Sequence, residues 1–227
     1  MELIKKHGIL LFWFILYADC GLLYLNKPQY HGILKPLLML VLMFYLAFNT
    51  TKKSFTGSKL IVFIALLASW IGDILLLEEG DGFFIAGMVA FIITHIFYSI
   101  FFFRAVSIRL SKFTEGTIAA FVFILIASQL RKFLSPHWGS FGLPIMIYMV
   151  FIGIMAILAT NIARSKTMKT LAFNNFIPGA VLFILSDAII VLNKFYFKEE
   201  FLSIVIIMSY GYAQCLMVQG FNKYLKV

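Results

Sequence analysis

Runs of apolar residues long enough to cross a lipid bilayer recur along almost the whole chain. A membrane-spanning helix needs about 20 consecutive, mainly apolar residues. Here such runs are separated by short polar stretches, among them Asn26-Lys27-Pro28 and Ser135-Pro136-His137. Inside a bilayer the backbone must satisfy its own hydrogen bonds, which for runs of this length means helices. The pattern therefore predicts an all-α integral membrane protein.

Composition agrees with a membrane domain and excludes an ordinary soluble one. The 227 residues are 62% hydrophobic and 13% charged, with a mean hydropathy of +0.97. Soluble domains are about 45–50% apolar and about 25% charged. We expect a single polytopic domain over residues 1–227. The sequence predicts a bundle of eight transmembrane helices, at residues 8–25, 33–49, 59–77, 83–103, 115–133, 142–161, 175–193 and 201–221.

The positive charges predict an orientation. With eight helices, 13 of the 19 lysines and arginines fall on the side that holds both termini. Positive residues favour the cytoplasmic side, so both termini are predicted to be cytoplasmic. The net charge of +9 does not indicate nucleic acid, because these residues lie at the ends of apolar runs. The segment after Lys5 and Lys6 resembles a signal peptide, but Asp19 before Cys20 is unsuited to lipoprotein cleavage, which predicts an uncleaved first helix.

Two aspartates stand inside predicted helices. Asp73 closes the segment Ser69-Trp70-Ile71-Gly72-Asp73 in the third helix, and Asp187 follows Ser186 in the seventh. A carboxylate within the bilayer costs at least about 2.5 kcal/mol, so its default interpretation is functional. Helices one, three and seven run in the same direction. Asp19, Asp73 and Asp187 are therefore predicted at one depth, roughly 8–10 Å below the outer boundary.

Other polar residues are predicted near this layer. Lys35 and the pair Asn193-Lys194 lie at the outer boundary, and Tyr210 and Gln214 lie on one face of the eighth helix. His95 and Tyr98 share a face of the fourth helix, somewhat deeper. Simpler interpretations exist for most of them: the lysines extend to the interface, the tyrosines pack, Gln214 links helices, and His95 hydrogen-bonds to a neighbour within the bundle.

A pair of carboxylates in a medium of low dielectric constant cannot easily ionise together, so one keeps its proton. This arrangement suits acid catalysis, and it suits a proton-coupled transporter equally well. The sequence contains no Gly-x-Ser-x-Gly elbow, no His-Glu-x-x-His and no cluster of His and Cys. The residues alone therefore do not decide between catalysis and transport.

Two segments resemble the lysoplasmalogenase family of YhhN-like membrane proteins. One is Ser69-Trp-Ile-Gly-Asp73, continued by Gly82-Phe83-Phe84, Gly87, Phe91, His95 and Phe97-Tyr98; the other is Gly179-Ala180, Phe183, Ser186-Asp187 and Leu192-Asn193-Lys194-Phe195, followed by Tyr210 and Ala213-Gln214. Lys35-Pro36 is also similar, whereas Asp19 is outside the pattern. The resemblance is dense in helices three, four, seven and eight, and it implies an eight-helix membrane fold.

The resemblance implies an enzyme that hydrolyses the vinyl ether bond of lysoplasmalogens, releasing a fatty aldehyde and glycerophosphoethanolamine or glycerophosphocholine. On this interpretation Asp73 and Asp187 are the catalytic pair, and the reaction is expected to need no metal and no organic cofactor. The substrate-binding residues are Lys35, Lys194, Asn193, His95, Tyr98, Tyr210, Gln214, Ser69 and Ser186. The expected partners are a lysophospholipid substrate and membrane lipids, with no nucleic acid and no obligate protein partner. The expected location is the cytoplasmic membrane of a bacterium. The alternative is a lysolipid-binding or proton-coupled transport protein that uses the same carboxylates.

Overall fold

The computed structural model describes residues 2–50, 57–106 and 114–226. Within these ranges eight helices are long and apolar enough to cross a membrane. This confirms the predicted all-α, eight-helix class. The helices are α1 (Glu2–Tyr24), α2 (His31–Asn49), α3 (Gly57–Leu75), α4 (Asp81–Ala105), α5 (Thr114–Leu134), α6 (Gly142–Asn161), α7 (Ile177–Leu192) and α8 (Glu200–Leu225).

Two helix boundaries differ from the prediction in ways that affect the polar residues. α2 begins at His31, directly after a 3-10 turn at Pro28–Tyr30, so Lys35 lies one turn inside the helix and not at its start. α7 is extended by π-helical turns at Ala172–Phe176 and Asn193–Phe197. Hydropathy does not reveal π turns, which are often found at functional sites.

In the described part of the chain, seven helices pack as a closed ring. Each of α1, α2, α3, α4, α6, α7 and α8 contacts the next, and α8 returns to α1. α8 also touches α2 and α3, so it leans into the ring. α5 lies outside against α6, and its buried residues are Gly116 and Leu134.

One end of the ring is filled by aromatic rings, and the other end is more polar. Phe101, Phe102, Phe176 and Phe221 pack with centroid distances between 4.7 and 6.1 Å. Asp73 and Asp187 lie toward the opposite end, where α3 ends and α4 begins. We call this the outer end, after the predicted orientation. That orientation rests partly on Lys52, Lys53, Arg109 and Lys112, which lie outside the described residues, and it stays a prediction.

Glycines allow α3 and α4 to pack closely beside Asp73. A Cβ atom on Gly72 would lie 2.8 Å from the Phe91 ring, and one on Gly87 would lie 2.6 Å from Leu76. Gly72 precedes Asp73 in the chain, so the close approach of these helices also holds the carboxylate in place. Small residues at such crossings let helix backbones come together in membranes.

Gly72→Ala is expected to lower the melting temperature of the purified protein in detergent. The new methyl group meets the Phe91 ring, and overpacking of this kind costs about 1–3 kcal/mol. Gly21→Ala is the matched control, because a Cβ at Gly21 has open space around it and alanine favours the helix. Equal melting temperatures for the two variants would contradict the tight crossing.

Candidate functional site

A cavity of about 390 Å³ opens at the outer end of the bundle. It lies among α2, α3, α4, α7 and α8 and the turn that joins α3 to α4. Charged and polar residues form much of its wall: His31, Lys35, Asp73, Glu78, Glu79, Ser186, Asn193, Lys194, Ser203 and Tyr210. Apolar residues form the rest, among them Leu76, Phe84, Phe91 and Ile190. Such a mixed wall suits an amphipathic ligand with a charged head.

Asp73 is buried in the wall of this cavity. The Tyr210 hydroxyl donates a 2.7 Å hydrogen bond to Asp73 Oδ2. The other carboxylate oxygen, Oδ1, has no hydrogen-bond partner among the described residues and lies 3.9 Å from Lys35 Nζ. Oδ1 thus keeps its hydrogen-bonding capacity, in a carboxylate whose orientation Tyr210 and Lys35 fix.

A chain of hydrogen bonds supports Tyr210 from below. The Gln214 amide nitrogen donates to the Tyr210 hydroxyl (3.3 Å) and to Ser69 Oγ (2.9 Å), while Tyr98 donates to the Gln214 carbonyl oxygen (2.9 Å). Ser69 bonds in turn to Thr94 (3.0 Å). Tyr98, Ser69 and Gln214 therefore reach Asp73 through Tyr210 and do not contact the carboxylate themselves.

Asp187 belongs to a second polar cluster. Tyr148 on α6 donates a 2.7 Å hydrogen bond to Asp187 Oδ2. Since that phenol has one proton, the 3.0 Å contact between His95 Nε2 and Tyr148 must be donated by the imidazole. His95 Nε2 also lies 3.6 Å from Asp187 Oδ2. Like Asp73, Asp187 thus accepts a hydrogen bond from a tyrosine that is itself hydrogen-bonded to a second side chain.

The two aspartates border different spaces. Asp73 faces the 390 Å³ cavity, whereas Asp187 borders two small voids of about 20 and 40 Å³. The smaller void shares Phe84 and Phe91 with the large cavity, so the spaces adjoin. Each carboxylate hydrogen-bonds to its own tyrosine, Asp73 to Tyr210 and Asp187 to Tyr148.

The remaining predicted residues have partners of their own. Lys194 Nζ lies 3.5 Å from Asp81 Oδ1 and 4.5 Å from the centre of the Phe84 ring. Asn193 holds the turn before α8, accepting from the Glu199 N–H (2.8 Å) and donating to its carbonyl (3.0 Å). Ser186 donates to the Ile206 carbonyl at 3.3 Å, which links α7 to α8. All three also line the cavity.

Sequence reasoning missed two features of this region. The first is Tyr148, the sixth residue after the start of α6, which by rise per residue lies about 9 Å below the outer boundary. That depth matches the predicted aspartate layer and could have identified it. The second is His31, whose Nδ1 lies 2.9 and 3.0 Å from the carboxylate oxygens of the buried Asp19. His31 lines the cavity one helical turn before Lys35, whereas the predicted second helix began only after it.

Comparison with known proteins adds a family match. The sequence model of the YhhN family matches residues 30–221, which include every predicted site residue but not Asp19. Relatives named lysoplasmalogenase TMEM86A are 32% identical over 161 residues in Homo sapiens and 30% identical over 162 residues in Bos taurus. Each match covers 69% of this chain and 62% of the relative.

A bacterial relative gives a similar result. The lysoplasmalogenase of Mycobacterium tuberculosis is 31% identical over 160 residues, which cover 69% of this chain and 58% of the relative. The match therefore spans about three fifths of each relative's own length. No solved structure matches this chain.

Proposed function

This chain belongs to the YhhN family, and from that membership and the geometry of its cavity we propose that it is a membrane lysoplasmalogenase. Its substrate is then a 1-alkenyl lysophospholipid, and its products are a fatty aldehyde and a glycerophosphoethanolamine or glycerophosphocholine. The observation that carries the proposal is the Asp73 carboxylate in the wall of a cavity that also contains Lys35, His31 and Lys194. A lysophospholipid fits this layout, with its charged headgroup beside the cationic residues and its reacting carbon just below, near Asp73.

Hydrolysis of a vinyl ether begins with protonation of a carbon atom, so an acidic group must lie close to that carbon. A protonated carboxyl transfers its proton to the second carbon of the alkenyl chain, and an oxocarbenium ion forms at the first. A carboxylate stabilises this cation, as in glycosidases. Water then adds to the first carbon and gives a proton to the carboxylate that donated one, which restores the acid. The hemiacetal breaks its bond to the glycerol oxygen, which takes the hydroxyl proton. One water is consumed, and oxidation states balance without a redox cofactor.

We propose that Asp73 and Asp187 share this work. Asp73 meets the substrate from the cavity, and Asp187 meets it from the adjoining void beside Phe84 and Phe91. Tyr210 and Tyr148 hold the two carboxylates, and Gln214 and His95 support the tyrosines. A general acid of this kind contributes about 10²–10⁴ in rate.

The headgroup would occupy the mouth of the cavity. Lys35 and Lys194 offer positive charge to the phosphate, and Glu78 and Glu79 in the same wall offer negative charge to the amine. Lys194 must leave Asp81 to do so, and that carboxylate is largely exposed, so the exchange costs little.

The test is aldehyde release by the purified protein from lysoplasmenylethanolamine. The control substrate is the saturated 1-alkyl ether with the same headgroup, which has no double bond to protonate. We expect aldehyde from the first and none from the second. Binding of both lipids without aldehyde would overturn the hydrolase and favour the lysolipid-binding or transport alternative.

Deuterium oxide tests the chemical step. If a held carboxyl protonates the second carbon, hydrolysis in deuterium oxide followed by rapid reduction yields an alcohol with deuterium at that carbon in one configuration. A racemic label would contradict a proton donor fixed by the protein.

Tyr148→Phe should lower kcat by roughly tenfold to a hundredfold, with KM little changed and the melting temperature somewhat lowered. The variant removes one hydrogen bond to a carboxylate, which is worth about 1.5–3 kcal/mol. Tyr24→Phe, at an exposed site at the end of α1, is the matched control. If Tyr148→Phe has the same kcat as this control, Tyr148 does not position Asp187.

The orientation is part of the same proposal. The eight spans place both ends of the chain on one side, and we propose that this side is the cytoplasm of a bacterium and the membrane its inner membrane. The cavity then opens toward the outer face of that membrane.

A further inference from the structure

Four spaces in the bundle follow one another from the cavity to the lipid-facing side. The 390 Å³ cavity shares Leu76, Phe84, Phe91 and Ile190 with the 20 Å³ void. That void shares Tyr148, Asp187 and Val191 with the 40 Å³ void. The 40 Å³ void shares Phe123, Ile126 and Ile184 with a groove of about 410 Å³. Consecutive spaces in this row therefore adjoin at the side chains that they share.

The last space is apolar and faces the membrane. It lies between α5, α6 and α7, and its wall on α7 is the helical stripe Ile177, Ala180, Val181 and Ile184. Ile177 is ten residues before Asp187, so the groove extends about 15 Å deeper than that carboxylate. The polar residues of the groove are Glu115, at the start of α5, and Thr160, at the end of α6.

α5 forms the lipid-facing wall of this groove. Its buried residues are Gly116 and Leu134, near its two ends, and among the described helices it packs chiefly on α6. A helix with so little buried surface can shift at low free-energy cost. Two of the three side chains shared by the 40 Å³ void and the groove, Phe123 and Ile126, belong to this helix.

We propose that this row of spaces is the binding site of the substrate's hydrocarbon chain and the exit of the aldehyde into the bilayer. The inference rests on the proposed function. The headgroup occupies the polar cavity, the chain passes Phe84 and Phe91, and its end lies in the groove beside α5. The chain itself is the occupant because the row of spaces leads from the cavity to the groove, and the wall of the groove is mainly apolar.

This placement explains why the two aspartates border different spaces. The vinyl ether joins headgroup to chain, so it lies where the cavity meets the small voids. Asp73 then faces the glycerol side of the reacting bond, and Asp187 faces the chain side. The two carboxylates need not touch each other to act on one bond.

Chain-length selectivity tests the site. Ile184→Trp narrows the passage between the 40 Å³ void and the groove, whereas Leu185→Trp places the same indole on the next residue of α7, which is exposed to lipid. With octenyl, hexadecenyl and octadecenyl lysolipids of one headgroup, Ile184→Trp should lower kcat/KM for the two long chains by about tenfold or more. The octenyl substrate should react as with wild type, and Leu185→Trp should leave all three unchanged.

Binding separates this proposal from the hydrolase itself. Saturated 1-alkyl lysolipids of the same lengths are not hydrolysed, and they should raise the melting temperature of wild type more as the chain lengthens. If the melting temperature rises with chain length but no aldehyde forms from alkenyl lipids, the proposed chain site is supported and the proposed hydrolase activity is overturned. If aldehyde forms but Ile184→Trp and Leu185→Trp give the same length profile, the chain site is overturned and the hydrolase stands.

A photoreactive group at the chain end gives a second measurement on the unaltered protein. A 1-alkyl lysolipid with a terminal diazirine should label the groove side of α5 and α7, near Phe123, Ile126 and Val181. An excess of unlabelled lysolipid should prevent this labelling. Labelling that does not compete would assign the groove to bulk lipid and overturn the proposal.

Discussion

Asp73→Asn should reduce aldehyde release by about 10²–10⁴, the range that one acid or base contributes. The amide cannot donate an acidic proton or carry the charge that stabilises an oxocarbenium ion. Its carbonyl oxygen still accepts from Tyr210, whose hydroxyl lies 2.7 Å from Asp73 Oδ2. The side chain keeps its size, so the crossing beside Gly72 and Phe91 is preserved. We expect kcat to fall and the melting temperature to change little.

The control for Asp73→Asn is Glu200→Gln, the same chemical change at the exposed start of α8. It should turn over like wild type. Binding of the saturated 1-alkyl analogue shows whether the Asp73 variant still takes up lysolipid. An Asp73→Asn enzyme that keeps more than about one tenth of the wild-type kcat would remove Asp73 from the chemistry.

The fold was largely predictable because hydropathy dictates it. Each run of about 20 apolar residues has one stable state in a bilayer, so eight runs predict eight helices. The order of the helices around the ring was not predictable from hydropathy. It depends on contacts such as Gly72 with Phe91 and Gly87 with Leu76, which involve residues far apart in sequence. Hydropathy contains no information about these pairs.

Spacing along the helices predicted that Asp73 and Tyr210 lie at comparable levels, but it did not predict how the polar residues pair. The structure joins Asp73 and Tyr210 by a hydrogen bond. The partner of Asp187 was not predicted, because Tyr148 in a helix of apolar residues looks like a packing aromatic. Lys194 was expected at the mouth, and it does line the cavity, but it also contacts Asp81 and Phe84. The π turn that carries it has no hydropathy signature.

The pairing of Asp19 with His31 is a second contact that the sequence did not predict. Asp19 was predicted in the aspartate layer, and its role there was left open because it lies outside the family resemblance. The structure buries it against His31, and His31 reaches the cavity. The predicted second helix began two residues after His31, so this contact could not be inferred. An error of two residues in this boundary was enough to conceal the contact.

Asp187→Asn should cause a loss of the same order as Asp73→Asn, and the double variant should be little worse than either single one. Residues that act as a unit in one step show losses that do not multiply. Asp187 and Asp73 lie on adjoining spaces that share Phe84 and Phe91, so both would act on one vinyl ether.

The measurement is kcat for the four proteins, wild type, two single variants and the double variant, with the hexadecenyl substrate. Losses that multiply would mean that the carboxylates act in separate steps. An Asp187→Asn variant with wild-type kcat but a changed chain-length profile would make Asp187 part of the chain site alone. In that case Asp73 would be left as the carboxylate that performs the chemistry, and Tyr148→Phe should then also leave kcat unchanged, since its effect passes through Asp187.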